Sequence, residues 1–173
     1  DGTFEEKDRR DLYGLASVGI QQRLPATSMS GSVDGRTLGP WDVEAAVGAS
    51  VGYGILNSDQ NSYDASNTRC NPDYYDYADF SVQPYLAGKA ADRFNAAVGY
   101  DYTRRDYRQR PVQDSSGNYE PHVILQETHS ATWFFSYDLT KHLALRVQGV
   151  YRMSRSNMKY EKTYRYTYDA AHY

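Results

Sequence analysis

From Trp41 onward, the odd positions Trp41, Val43, Ala45, Val47, Ala49, Val51, Tyr53 and Ile55 are all apolar or aromatic, while Asp42, Glu44, Gly48, Ser50, Gly52 and Gly54 fill most of the even ones. Successive side chains of an extended chain point to opposite sides, so this pattern predicts a strand with two unlike faces. Five more segments repeat it. Leu12, Ala16, Val18, Ile20 and Leu24 oppose Asp11, Ser17, Gln21 and Arg23; Phe80, Val82, Pro84 and Leu86 oppose Asp79, Ser81, Gln83 and Lys89. Phe94, Ala96, Val98, Tyr100 and Tyr102 oppose Asn95, Asp101, Thr103 and Arg105. Leu125, Ala131, Trp133, Phe135, Tyr137 and Leu139 oppose Gln126, Thr128, Ser130 and Thr132, and Leu143, Leu145, Val147, Tyr151 and Met153 oppose His142, Arg146, Gln148 and Arg152.

Composition narrows what such strands can build. No apolar run approaches the ~18 residues of a spanning helix, and a mean hydropathy of −0.78 is too polar for a helical membrane protein. A barrel strand needs only ~10 tilted residues with alternate positions apolar, so membrane residence by strands stays open. A net charge of −3 gives no basic excess for phosphate contacts, and nucleic acid is not an expected partner. Eighteen Tyr and 13 Gly against one Cys, in a chain that opens at Asp1, point to a processed or excised β-rich segment of one domain.

A soluble sandwich or lipocalin-like barrel also alternates, and connection lengths separate the cases. The links Ala90-Ala91-Asp92-Arg93 and Asp138-Leu139-Thr140-Lys141 are short, whereas Asn57 to Asp76, Arg108 to His122 and Ser154 to Tyr164 are long and polar. Long loops at one end and tight turns at the other match barrels with extracellular loops and periplasmic turns. The link from Pro25 to Pro40 fits this scheme poorly, being too long for a tight turn. Tyr74, Tyr75, Tyr77, Tyr100, Tyr102, Tyr107, Tyr151, Tyr164, Tyr166 and Tyr168 fall toward the long-loop end, and Trp41, Phe94, Trp133, Phe135 and Tyr137 toward the other, which predicts two aromatic girdles.

The hairpins FSVQPYLAGKAADRFNAAVGYDYTRRDY and ATWFFSYDLTKHLALRVQGVYRMSRSN, followed by KYEKTYRYTYD, resemble a bacterial outer-membrane β-barrel of the porin-like group, over about residues 11–173. The resemblance implies an all-β fold, a transmembrane antiparallel up-and-down β-barrel, located in the bacterial outer membrane and in contact with its lipid. It carries no catalytic or ligand motif. Family members commonly end on an aromatic residue after alternating apolar positions; Tyr173 is aromatic, but Ala171, Asp169, Thr167 and Arg165 break the alternation. The first strand runs away from the long loops and the last begins its descent near Tyr164, so the single domain over 1–173 is expected to lack strands at one or both ends. Other strands of a larger barrel, or other envelope subunits, would then close it, because unpaired backbone in hydrocarbon costs several kcal/mol per group.

The polar face carries the candidate site. Asp42, Glu44, Asp79, Lys89, Asp101, Arg105, Arg146 and Arg152, with Asp11 and Arg23, put both signs of charge on an inner wall. In a barrel of about eight strands they would pair and fill the lumen; in one of roughly 14 or more they would line a wet channel. The expected function is a pore or export conduit for hydrophilic solutes or a secreted polymer. The alternative is a closed structural or adhesive barrel whose Tyr-rich loops bind partners. An enzyme is not expected. Glu127, His129 and Ser130 at the outer edge are the one group that would suit a rim hydrolase. No cofactor or metal is expected: His122, His142 and His172 are scattered, and the loop SDQNSYDASNTRCNPD lacks regular ligand spacing. Cys70 is either a free loop thiol or half of a disulfide to another segment.

Overall fold

The computed structural model describes residues 10–33, 36–64, 68–91, 93–160 and 165–172, with the side chains of 28–41 excepted. Trp41's side chain, Asp92, Tyr164, Tyr173 and most of the segment from Asp1 to Arg10 therefore lie outside the described residues. All regular structure in the described residues is extended: β1 (Asp11–Arg23), β2 (Thr27–Val33), β3 (Arg36–Ser58), β4 (Ser62–Asp64), β5 (Arg69–Asn71), β6 (Tyr77–Ala90), β7 (Phe94–Gln113), β8 (Tyr119–Thr140), β9 (Leu143–Ser156) and β10 (Tyr168–His172). The main sheet runs β1-β3-β6-β7-β8-β9-β10, antiparallel throughout, with β2 also on β3; β4 and β5 form a small hairpin above it.

This is the up-and-down antiparallel fold that the alternation predicts, but the sheet is open. Among the described residues β1 pairs only with β3 and β10 only with β9, and the expected barrel is not closed. The reason is parity. Seven strands in an antiparallel path leave both edges running the same way, so β10 cannot continue the ladder onto β1 without a parallel junction.

The link from Pro25 to Pro40 is corrected by the structure. It is a ladder: β2 pairs with the first part of β3 from Thr27↔Val43 to Val33↔Arg36, leaving two residues, Asp34 and Gly35, between the last partners. Asp-Gly between extended segments is the strongest short-range hairpin signal. The β2–β3 ribbon projects past the short-turn end, since β6 pairs with β3 only from Val43 onward. At the other end, β7 and β8 also outrun their neighbours and are closed by residues 114–118. There the Asp114 carboxylate accepts backbone N–H bonds from Ser116 (2.8 Å) and Asn118 (2.9 Å), and Gly117 adopts a φ of 92°. The Asn118 side chain and these amides hold the Asp114 carboxyl below its usual range.

Close cross-strand approach explains several glycines. A Cβ on Gly149 would fall into the indole of Trp133, its direct partner on β8, and one on Gly48 would fall into the ring of Tyr85 on β6. An aromatic side chain can lie flat over a neighbouring strand only where that strand carries no side chain. Gly149→Val is accordingly expected to cost roughly 1–3 kcal/mol by overpacking, read as a lower urea midpoint. An unchanged midpoint would mean that Trp133 does not occupy this place.

Pro84 interrupts the middle of the sheet. The β6–β7 ladder passes from Val82↔Tyr102 to Tyr85↔Gly99 with the two intervening pairs missing, because proline has no N–H to donate.

Candidate functional site

Cross-strand partners share a face, so the ladder registers sort every side chain. One face carries the levels Val47–Leu86–Val98–Trp133 and Val43–Ala90–Phe94–Tyr137–Leu145, which are apolar throughout. The other carries Glu44–Lys89–Asn95–Ser136–Arg146 and Asp79–Arg105–Gln126. All eight residues Asp42, Glu44, Asp79, Lys89, Asp101, Arg105, Arg146 and Arg152 fall on this second face.

Two rows on the polar face are wired together. Near the long-loop end the Arg105 guanidinium donates through Nε and an Nη to both oxygens of Asp79, at 2.8 and 2.9 Å, and lies 3.8 Å over the ring of Tyr77. Four residues further down, Ser50 Oγ donates to Gln83 Oε1 (3.2 Å), Gln83 Nε2 donates to Asp101, and Thr103 Oγ1 donates to the other Asp101 oxygen (3.0 Å). Asp101 sits opposite Ser130, whose Oγ accepts from Arg152 Nε at 3.2 Å, and the row thus spans β3, β6, β7, β8 and β9. It crosses the sheet at Pro84, where side chains replace the missing backbone link. Glu44 and Arg146 are exposed, while Lys89 and Asp101 are half-buried.

Neither face of the open sheet is covered along its length: β1 is exposed on both faces, and so are Glu44 and Arg146 on the polar face. The most buried strand residues on the central ladder are polar, with Ser154 at 0%, Ser130 at 5% and Asp79 at 9% exposure, whereas Val47 and Val98 are 44% exposed and Val147 51%. The buried apolar cluster among the described residues lies at the long-loop end, where the outer parts of β7 and β8 meet the loops: Tyr107, Val112, Ile124, Met158 and Tyr166, with Tyr77 and Tyr160 against it. Ser154 Oγ donates to the Tyr166 carbonyl (2.8 Å), and the Arg110 guanidinium lies over Tyr74, at 4.3 Å, and near the rings of Tyr107 and Tyr166. The predicted girdle at this end is therefore split. Tyr100, Tyr102 and Tyr151 are on the apolar face, but Tyr107 and Tyr166 are packed into the loop core. At the other end Phe94, Trp133, Phe135 and Tyr137 share the apolar face, with Phe94 and Phe135 stacked.

The rim group does not assemble. Glu127 and His129 stand on the apolar face, where Glu127 accepts from the Tyr102 hydroxyl (2.9 Å) and His129 Nδ1 meets the Tyr100 hydroxyl, whereas Ser130 faces the other way. His122 and His142 are exposed at opposite ends, and His172 lies in β10. The loop carboxylates and amides are engaged within the loops. Asp59 accepts from the Arg10 amide, Asn61 from the Asp73 amide, and Asp64 from the Tyr119 hydroxyl at 2.6 Å. Burial and this bond push the Tyr119 hydroxyl up from its ordinary pKa. Among the described residues no group of three His, Cys, Asp or Glu side chains could hold a metal, and Cys70 is an exposed free thiol.

Sequence reading missed the loop core, because Val112, Ile124 and Met158 lie in segments whose polar composition hides them. No protein-family model, curated protein or solved structure matches the chain. The all-β antiparallel sheet with one polar and one apolar face is what defines its class.

Proposed function

We propose that this chain forms part of the wall of a bacterial outer-membrane β-barrel, with the polar face lining a conduit for hydrophilic solutes or a secreted polymer. The observation that carries the reading is the uncovered apolar face, with Val47, Val98 and Val147 exposed. An apolar face spread across seven strands far exceeds the few hundred Å² that a soluble monomer leaves bare, and hydrocarbon is the solvent that such a face matches. Asp42, Glu44, Asp79, Lys89, Asp101, Arg105, Arg146 and Arg152 are then the lumen wall, with mixed charge setting selectivity.

A wide lumen is the form of conduit in this reading. Among the described residues, polar-face bonds such as Ser50 to Gln83, Arg105 to Asp79 and Arg152 to Ser130 join neighbouring strands, and Thr103 to Asp101 lies within β7. A narrow barrel would place such partners on opposite walls. Closure also follows from parity: edges that run alike need an odd number of further strands between them to keep an antiparallel ring. A ring of identical copies would instead join β10 of one to β1 of the next in parallel. The closing strands would then come from a longer polypeptide or from a different envelope subunit.

The test is conductance of the full-length polypeptide in planar bilayers. Stable unitary currents are expected, with Arg146→Glu shifting permeability toward cations. A sealed bilayer with inserted, folded protein would favour the adhesive alternative, in which the ordered loop core at the Tyr-rich end is the working surface.

A further inference from the structure

The apolar face ends along an oblique line. Just past the ends of β1 and β3 the first charged residues in line with the apolar face at the long-loop end are Arg10 and Asp59, which face each other through a backbone bond (Asp59 N to Arg10 O, 3.1 Å). On β7, β8 and β9 they are Arg104, Glu127 and Arg155, which are direct partners of one another and level with Phe80 and Tyr53. On β10 it is Asp169, level with Met153, His129, Tyr102, Val82 and Val51. In the numbering of β3 the boundary thus moves from 59 to 51, eight positions, over the six steps from β1 to β10. At the short-turn end β8 and β9 stay paired from Tyr137↔Leu145 to Thr140↔Leu143, past the level of Phe94 and Ala90 where β6 and β7 stop, and the β2–β3 ribbon passes that level on the other side of the sheet.

We infer that the apolar face meets a lipid bilayer whose headgroup plane crosses the ladder levels at about 40°, with Arg10, Asp59, Arg104, Glu127, Arg155 and Asp169 along one headgroup boundary. Eight positions at ~3.4 Å rise are about 27 Å, and six interstrand spacings at ~4.8 Å are about 29 Å, which gives that slope. The strands of spanning barrels tilt by ~35–45°, so the boundary has the slope that a bilayer would impose on them. A protein partner would follow local shape and need not end the apolar face at charged residues along one oblique line. Band height agrees: from Leu143 to Met153 on β9, ten positions tilted by 40° rise about 25 Å, the height of an outer-membrane apolar band. Charged side chains with Tyr100 and Tyr102 beside them suit the headgroup layer, where amphipathic rings and ions both keep water contact. This inference rests on the membrane reading and adds to it where the plane lies.

Site-directed spin labels test it in the full-length polypeptide carrying Cys70→Ser, reconstituted in phosphatidylcholine vesicles. Ala16→Cys and Arg155→Cys lie at one ladder level, yet Ala16 is six positions inside its strand's boundary. Oxygen against nickel-chelate accessibility should place the label at Ala16 about 15 Å deeper than that at Arg155. Leu12→Cys and Met153→Cys, six positions apart in level but each two inside the boundary, should report the same depth. Equal depths for Ala16 and Arg155 in lipid would overturn the slope alone, and nickel access at all four positions would overturn the membrane reading. Glu127→Cys, at the same level as Arg155, serves if loss of the Arg155 to Asp169 ion pair disturbs β10.

Discussion

Val98→Arg is expected to cost about 2–4 kcal/mol of folding stability in a lipid bilayer, the penalty for a cation near the midplane of a barrel wall. Val98 is midway along the apolar stretch of β7 between Phe94 and Tyr102, flanked by Leu86 and Trp133. On the proposed membrane placement, a guanidinium there would be too far from either headgroup layer to reach water by uncoiling its stem. The control is Ser50→Arg on the opposite face, which loses one hydrogen bond to Gln83, and is expected to cost about 1 kcal/mol. Urea titration of both variants in the same vesicles measures the difference. Equal losses would mean that the two faces see the same environment, as in a filled small barrel or a soluble sandwich.

The second large effect concerns the Asp79–Arg105 pair. Asp79→Ala is expected to cost about 2–3 kcal/mol, below the 3–5 typical of a fully buried pair, because a third of the Arg105 side chain remains exposed. The removed carboxylate accepts two bonds in fork geometry, and the ring of Tyr77 can compensate only the face of the guanidinium. Arg105→Leu on top of Asp79→Ala should recover part of the loss, since no buried charge is then left unmatched. A double-mutant cycle that returns no coupling between the two positions would show that the bidentate contact is absent in solution.

Much of this arrangement is legible in the chain because an extended backbone has a period of two: once Val47 is on one face, Glu44 and Ser50 must be on the other. The eight charged positions follow from that rule without any knowledge of which strands are neighbours. Register is a different matter. That Asp79 meets Arg105 rather than Arg104 depends on the length of the turn at residues 91–93, which alternation alone does not encode. The β2–β3 ribbon was hidden for a local reason: Ser28 to Gly39 is rich in Gly, Ser and Thr with little apolar contrast, so only Asp34-Gly35 marks the hairpin. Glu127 and His129 interrupt an apolar face because β8 crosses the charged boundary there, and their neighbours Tyr102 and Tyr100 come from a strand 25 or more residues away.

Pro84 has a mechanical consequence. Between Val82 and Tyr85 two pairs of the β6–β7 ladder are missing, while the strands stay paired on either side, from Tyr77↔Tyr107 to Val82↔Tyr102 and from Tyr85↔Gly99 to Ala90↔Phe94. At that gap there are fewer paired amides to strain on bending, and the Gln83 to Asp101 side-chain bond bridges it. Proline and glycine positions are where a sheet accommodates local curvature, and this gap lies near the centre of the sheet, next to the place where Tyr85 lies over Gly48.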